Sequence, residues 1–99
     1  MQIQVHSIHF DADQKLLDFI DQRLKKLTQF HGNIISGEVF LKVDNSDDHE
    51  NKIVEIKVLV PGKELFVKKQ SKSFEESTDT SIEALRRQIR KYRTKQGIS

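Results

Sequence analysis

The chain has no cysteine, no glycine-rich loop and no long apolar run, and each shortage removes a class of answer. Without cysteine there are no disulfides, no zinc-thiolate sites and no thiol nucleophile. No segment has the form of a phosphate-cradling loop or a Gly-x-Ser-x-Gly elbow, and no histidine stands near a serine in an arrangement suited to acyl transfer. The histidines His6, His9, His31 and His49 are scattered without His-x-x-x-His pairing, so surface histidines are favoured over a metal site. Asp44, Ser46 and Asp48 alternate as in a calcium loop, but His49 stands where such a loop needs glycine, and Glu55 falls within a strand pattern instead of on an exiting helix. Residues 1–10 alternate instead of forming an apolar run behind a basic start. Neither a signal peptide nor a membrane span is therefore expected, and the cytoplasm is the expected compartment. The absences favour a binding protein without metal or cofactor over an enzyme.

What is present fits one two-layer domain of 99 residues, with residues 96–99 expected to fray. The net charge of +2 conceals a polarity. Through Val60 the acids outnumber Lys and Arg, whereas from Pro61 onward the bases outweigh Glu64, Glu75, Glu76, Asp79 and Glu83. A chain polarised in this way suggests a polyanionic partner for one side.

Hydrophobic periodicity supplies the elements. Ile3 and Val5 alternate with Gln2, Gln4 and His6, the period of a short strand. Asp11 and Asp13 suit the positive end of a helix over residues 13–30, in which Leu16, Leu17, Ile20, Leu24 and Leu27 recur at helical spacing. His31-Gly32-Asn33, just past that helix, supplies a residue free to adopt a positive φ, as helix ends prefer. Residues 36–43 read as a half-buried strand with Val39, Leu41 and Val43 on one face, and residues 52–60 as a more apolar, central one. Pro61-Gly62 fits the middle of a type II turn leading to a fourth strand over residues 64–69. Ser73 and Glu76 have capping-box spacing at the start of a second helix. The order β-α-β-β-β-α predicts an α+β fold: a four-stranded mixed sheet with two helices side by side on one face, as in double-stranded RNA-binding domains. The first helix crosses over between parallel strands, and the other strands form an antiparallel meander.

The last quarter carries the sharpest signal. Ile82, Leu85, Ile89 and Tyr92 share one stripe of the second helix, with Arg86, Arg90 and Arg93 along one flank and Arg87 just beyond. No acid follows Glu83. A face built only for solubility mixes signs, whereas guanidinium groups in series match phosphate oxygens and stack on unpaired bases. On the first helix, Lys15, Gln22, Lys26 and Gln29 occupy one flank, and Asp18, Asp21 and Lys25 the back. Arg23 falls at the edge of the apolar arc, where its stem covers the core rim or its head reaches between the helices.

The element order, the strand-like Met1-Gln2-Ile3-Gln4-Val5 start and the Leu-x-Arg-Gln-φ-x-Lys ending formed by Leu85, Arg87, Gln88, Ile89 and Lys91 resemble the ribosome hibernation-promoting factor family. These ribosome-associated translation inhibitors are also called sigma-54 modulation proteins. Arg23-Leu24-Lys25-Lys26-Leu27 ahead of Phe30 is similar as well. The chain departs at Ser7, where the family often has glycine, and at Glu75, which stands at a tyrosine position. The resemblance implies a short form whose single domain, residues 1–95, binds the small ribosomal subunit and its rRNA between head and body, blocks messenger and transfer RNA, and preserves idle 70S ribosomes in starvation or stationary phase. It assigns RNA contact to Arg23, Lys25 and Lys26 on the first helix and to Arg86, Arg87, Arg90, Lys91 and Arg93 on the second. Two other readings remain open at this level. One is a general double-stranded RNA-binding module. The other is a protein-interaction adaptor using an open sheet face with Phe40, Ile53, Leu59 and Phe66, which could also support weak self-association.

Overall fold

The computed structural model describes residues 2–45 and 49–95, with the side chains of residues 93–95 outside that description. Alternation at the amino end becomes β1 (Gln2–Ser7), followed by α1 (Gln14–Phe30), β2 (Ser36–Val43), β3 (Lys52–Val60), β4 (Lys63–Ser71) and α2 (Phe74–Lys95). The sheet order is β1-β2-β3-β4, with β1 parallel to β2 and the other pairs antiparallel. The predicted two-layer α+β architecture is therefore the one adopted. The expected frayed tail, residues 96–99, lies outside the described residues.

Local chemistry sets the element ends. The Asp13 carboxylate accepts from the Leu16 N–H at 2.9 Å and caps α1. Ser73 Oγ likewise accepts from the Glu76 N–H at 3.0 Å, while the Ser73 N–H faces Ser71 Oγ at 3.5 Å, so the cap uses one half of the capping box. Gly62, at φ 83, closes the tight β3–β4 hairpin as its sequence demands. None of His31, Gly32 and Asn33 takes a positive φ. Instead α1 ends at His31, whose N–H still reaches Leu27 O at 3.0 Å, and the Ile34 N–H turns back to His31 O at 3.3 Å as Ile34 enters the core. With the chain held by that turn and by a buried side chain, no left-handed residue is required. Among the described residues other than glycine, a positive φ falls at His9, between β1 and α1.

The core lies between the helices and one sheet face. Leu16, Ile20, Leu24 and Leu27 of α1 meet Ile82, Leu85 and Ile89 of α2 over Val39, Leu41, Val54, Ile56, Val58, Val60, Leu65 and Val67. Each fully buried aliphatic side chain contributes about 1.5–3 kcal/mol of transfer free energy. Val43, expected on the same face as Val39 and Leu41, sits at the strand end and is exposed. Ile53 departs in the other direction: it points to the open face yet is buried among Lys42 and Gln70, its register neighbours.

The small polar residues Ser77, Thr78 and Ser81 let α2 lie close to the layers beneath, and Ser77 Oγ is 2.8 Å from Lys52 O. Tyr92 Oη donates to Pro61 O at 2.6 Å and ties the far end of α2 to the hairpin turn. Gln88 Nε2 donates to Phe66 O at 3.0 Å, satisfying a carbonyl of the edge strand β4. Among the described residues, no helix is long and apolar enough to cross a membrane.

Candidate nucleic-acid interface

The two helices run parallel along their shared seam. Arg23 meets Asp79, and seven residues later on each helix Phe30 meets Arg86, so both contacts advance in the same chain direction. Seven residues are close to two helical turns. The same flank of each helix is therefore presented to its neighbour twice.

At the first meeting point Arg23 Nε donates to Asp79 Oδ1 at 2.8 Å, and its guanidinium carbon lies 4.4 Å from the Phe19 ring centroid. Arg23 thus reaches between the helices while keeping part of its side chain in water. At the second point the Arg86 guanidinium lies 5.7 Å from the centroid of Phe30 and only loosely approaches Glu83, at 3.7 Å. Arg86 Nε is shielded from solvent and has no hydrogen-bond partner among the described residues. Phe30, His31, Arg86 and Arg90 line a groove of about 330 Å³ at this end of the seam.

The remaining basic residues spread from this seam. Lys26 is exposed on the seam side of α1, at about 60° from Arg23 on the helical wheel. Arg87 and Arg90 are exposed on the outer surface of α2. Lys91 projects to the far side, toward the sheet edge, and lines a separate groove with Lys63, Leu65, Gln88 and Tyr92. Lys25 lies on the far flank of α1, bonded to Asp21 at 2.9 Å. Arg93 continues α2, but its side chain lies outside the described residues. The fold therefore brings together Arg23, Lys26, Arg86, Arg87 and Arg90, and leaves Lys25 and Lys91 on opposite margins.

Two participants escaped the reading of the sequence. Asp79 is the acid that positions Arg23, and Phe30 is the most exposed large hydrophobic residue described, at 65%. A signal for Phe30 was present: it stands seven residues after Arg23, which puts it on the same flank and off the line of Leu24 and Leu27. The signal gained meaning only with the second helix in place.

The open face of the sheet has a different character. Lys42 Nζ lies 3.1 Å from both carboxylate oxygens of Glu55, Lys68 approaches the same carboxylate at 4.0 Å, and His6 Nε2 is 2.9 Å from Glu38. His6 also stacks on Phe40 with centroids 5.0 Å apart. Leu59 and Phe66 are the large apolar side chains exposed there.

Known proteins share this fold. The chain is 24% identical over 96 residues to a ribosome hibernation promoting factor of Pseudomonas putida, covering 97% of this chain and 90% of that protein. A ribosomal subunit interface protein from Coxiella burnetii superposes with a TM-score of 0.84 at 20% identity, over 95% of this chain and 99% of the other. The N-terminal domain of Thermus thermophilus Protein Y gives a TM-score of 0.79 at 18% identity, over 94% and 100%. Residues 3–97 match the family described as Sigma 54 modulation protein / S30EA ribosomal protein, and the chain belongs to that family of ribosome-associated factors, which are not enzymes.

Proposed function

We propose that residues 1–95 form a ribosome-binding unit that occupies the messenger and transfer RNA channel of the small ribosomal subunit in the cytoplasm. By occupying it, the protein inhibits translation and preserves inactive 70S ribosomes under stress or in stationary phase. One observation carries the reading: Arg86, Arg87 and Arg90 extend the α1–α2 seam into a basic surface, along a stretch of α2 with no acid beyond Glu83. Folded RNA is the fitting ligand because phosphate attraction supplies affinity while the shape of the fold selects the site. Lys26 and Arg23 extend that surface onto the first helix, with Arg23 held in place by Asp79.

The general duplex-RNA reading uses the same charges but predicts no preference for the assembled subunit. The adaptor reading draws on the open sheet face, where the described lysines alternate with glutamates and Ile53 is covered.

Sucrose-gradient sedimentation with purified small subunits, across a salt series, tests the proposal. The triple variant R86Q/R87Q/R90Q should keep its circular dichroism spectrum and lose most association at moderate salt. Its log–log salt dependence should be shallower by about 2–3, near the single-strand coefficient of about 0.7 per lost phosphate contact. Unchanged binding by a folded triple variant would exclude this surface, and equal competition by naked duplex RNA would favour the general module.

A further inference from the structure

We infer that the groove at the end of the helix seam is a stacking site for one unpaired nucleobase, with Phe30 as the platform and Arg86 as the group that takes the adjoining phosphate or base edge. The inference rests on the proposed RNA-binding role and adds a stacking contact to a nucleobase, of any identity, to a surface otherwise described by charge.

Three observations converge on this place. Phe30 is 65% exposed, although a phenylalanine at the end of an amphipathic helix normally turns into the core. Its ring stands beside a guanidinium, at 5.7 Å, and Arg90 lines the same groove. Arg86 also carries an Nε–H that is shielded from water without an acceptor among the described residues, and its contact with Glu83 at 3.7 Å is beyond hydrogen-bond length. A buried donor without a partner is costly. A modest rotation of the Arg86 side chain, which is 32% exposed, would turn its donors toward a ligand oxygen and remove that cost.

The size and charge of the groove select the ligand. At about 330 Å³ it lies near the lower end of small-ligand sites and suits a single nucleotide better than a duplex. A peptide side chain would satisfy the ring alone, whereas a nucleotide brings a flat π-face for Phe30 and an anion for Arg86 together. Stacking on a phenyl ring is tolerant of base identity, so the site should recognise an extruded or single-stranded base without strong sequence preference.

The sequence contains no tryptophan, so Phe30→Trp introduces a single indole fluorophore at the site. Its emission should be quenched by a single-stranded oligoadenylate and by purified small subunits. An abasic oligomer of the same length and charge should bind, by anisotropy, without quenching. Phe30→Leu keeps an apolar side chain but removes the ring, and should weaken binding to oligoadenylate and to small subunits on the order of tenfold while leaving the abasic oligomer unaffected. The variant R87Q/R90Q serves as the charge control. If that control loses subunit binding while Phe30→Leu binds like the unmodified protein and the indole stays unquenched, the stacking site is refuted and the electrostatic surface stands. If neither variant alters subunit binding, both readings fall.

Discussion

The helical surface and the open face of the sheet share one core but dispose of charge in opposite ways. On the sheet, Lys42, Lys57 and Lys68 are interleaved with Glu38, Glu55 and Glu64 at neighbouring register positions, and Glu55 draws in both Lys42 and Lys68. On the helices, acids are engaged at Asp21 and Asp79, but the carboxyl-terminal half of α2 is basic throughout. Cross-strand neighbours stand about 5 Å apart, so opposite signs are stabilising there and like signs are not. A helix flank can carry a like-charge ladder at a cost of a few tenths of a kcal/mol per i,i+4 pair. The sheet face has arranged its charges to satisfy itself, whereas the helix face accepts a small penalty that an anionic partner would offset.

Removing the layer common to both faces should abolish the contrast. Leu24→Ala empties a fully buried site beneath α1 and should cost about 2–5 kcal/mol in urea unfolding, with loss of ribosome association following loss of fold. Next in size is a pair of charge reversals read side by side on sucrose gradients. Arg87→Glu on the helical surface should weaken small-subunit association by about tenfold or more, the scale of one lost charge-assisted contact. Lys68→Glu on the sheet should change it by less than about twofold, since its charge already faces Glu55 and lies on the opposite layer. Equal losses from the two reversals would mean that net charge, and not the helical surface, governs binding. A smaller effect than that of Leu24→Ala or Arg87→Glu belongs to Glu55→Gln. Its carboxylate is only 14% exposed and faces two lysines, so neutralising it should cost about 1 kcal/mol by chemical denaturation without altering ribosome association.

Much of this contrast was legible along the chain. The alternation of Val54, Ile56 and Val58 with Glu55 and Lys57 specifies which residues enter the core because side chains on a strand alternate strictly. The stripe Ile82-Leu85-Ile89 does the same for α2, and once it is buried the outward position of Arg87 is fixed by the helical repeat. The Pro61-Gly62 turn was equally readable because its geometry depends on two adjacent residues alone. His31-Gly32-Asn33 misled because a tertiary anchor, buried Ile34, ends α1 by another route. Ile53 lies on the open face and is still buried, because periodicity assigns a face but says nothing of how far long neighbouring side chains fold over it.

The elements, the side of each that is buried and the accumulation of arginine on one helix are local matters, since they follow from periodicities of a few residues. That α1 and α2 lie parallel, in a register that pairs Arg23 with Asp79 and sets Phe30 beside Arg86, emerges only when the layers pack. Those partners are 56 residues apart in the chain, a separation at which no local repeat carries information. Their meeting depends on how two helices settle over the same buried sheet face, which is a property of the packed core as a whole.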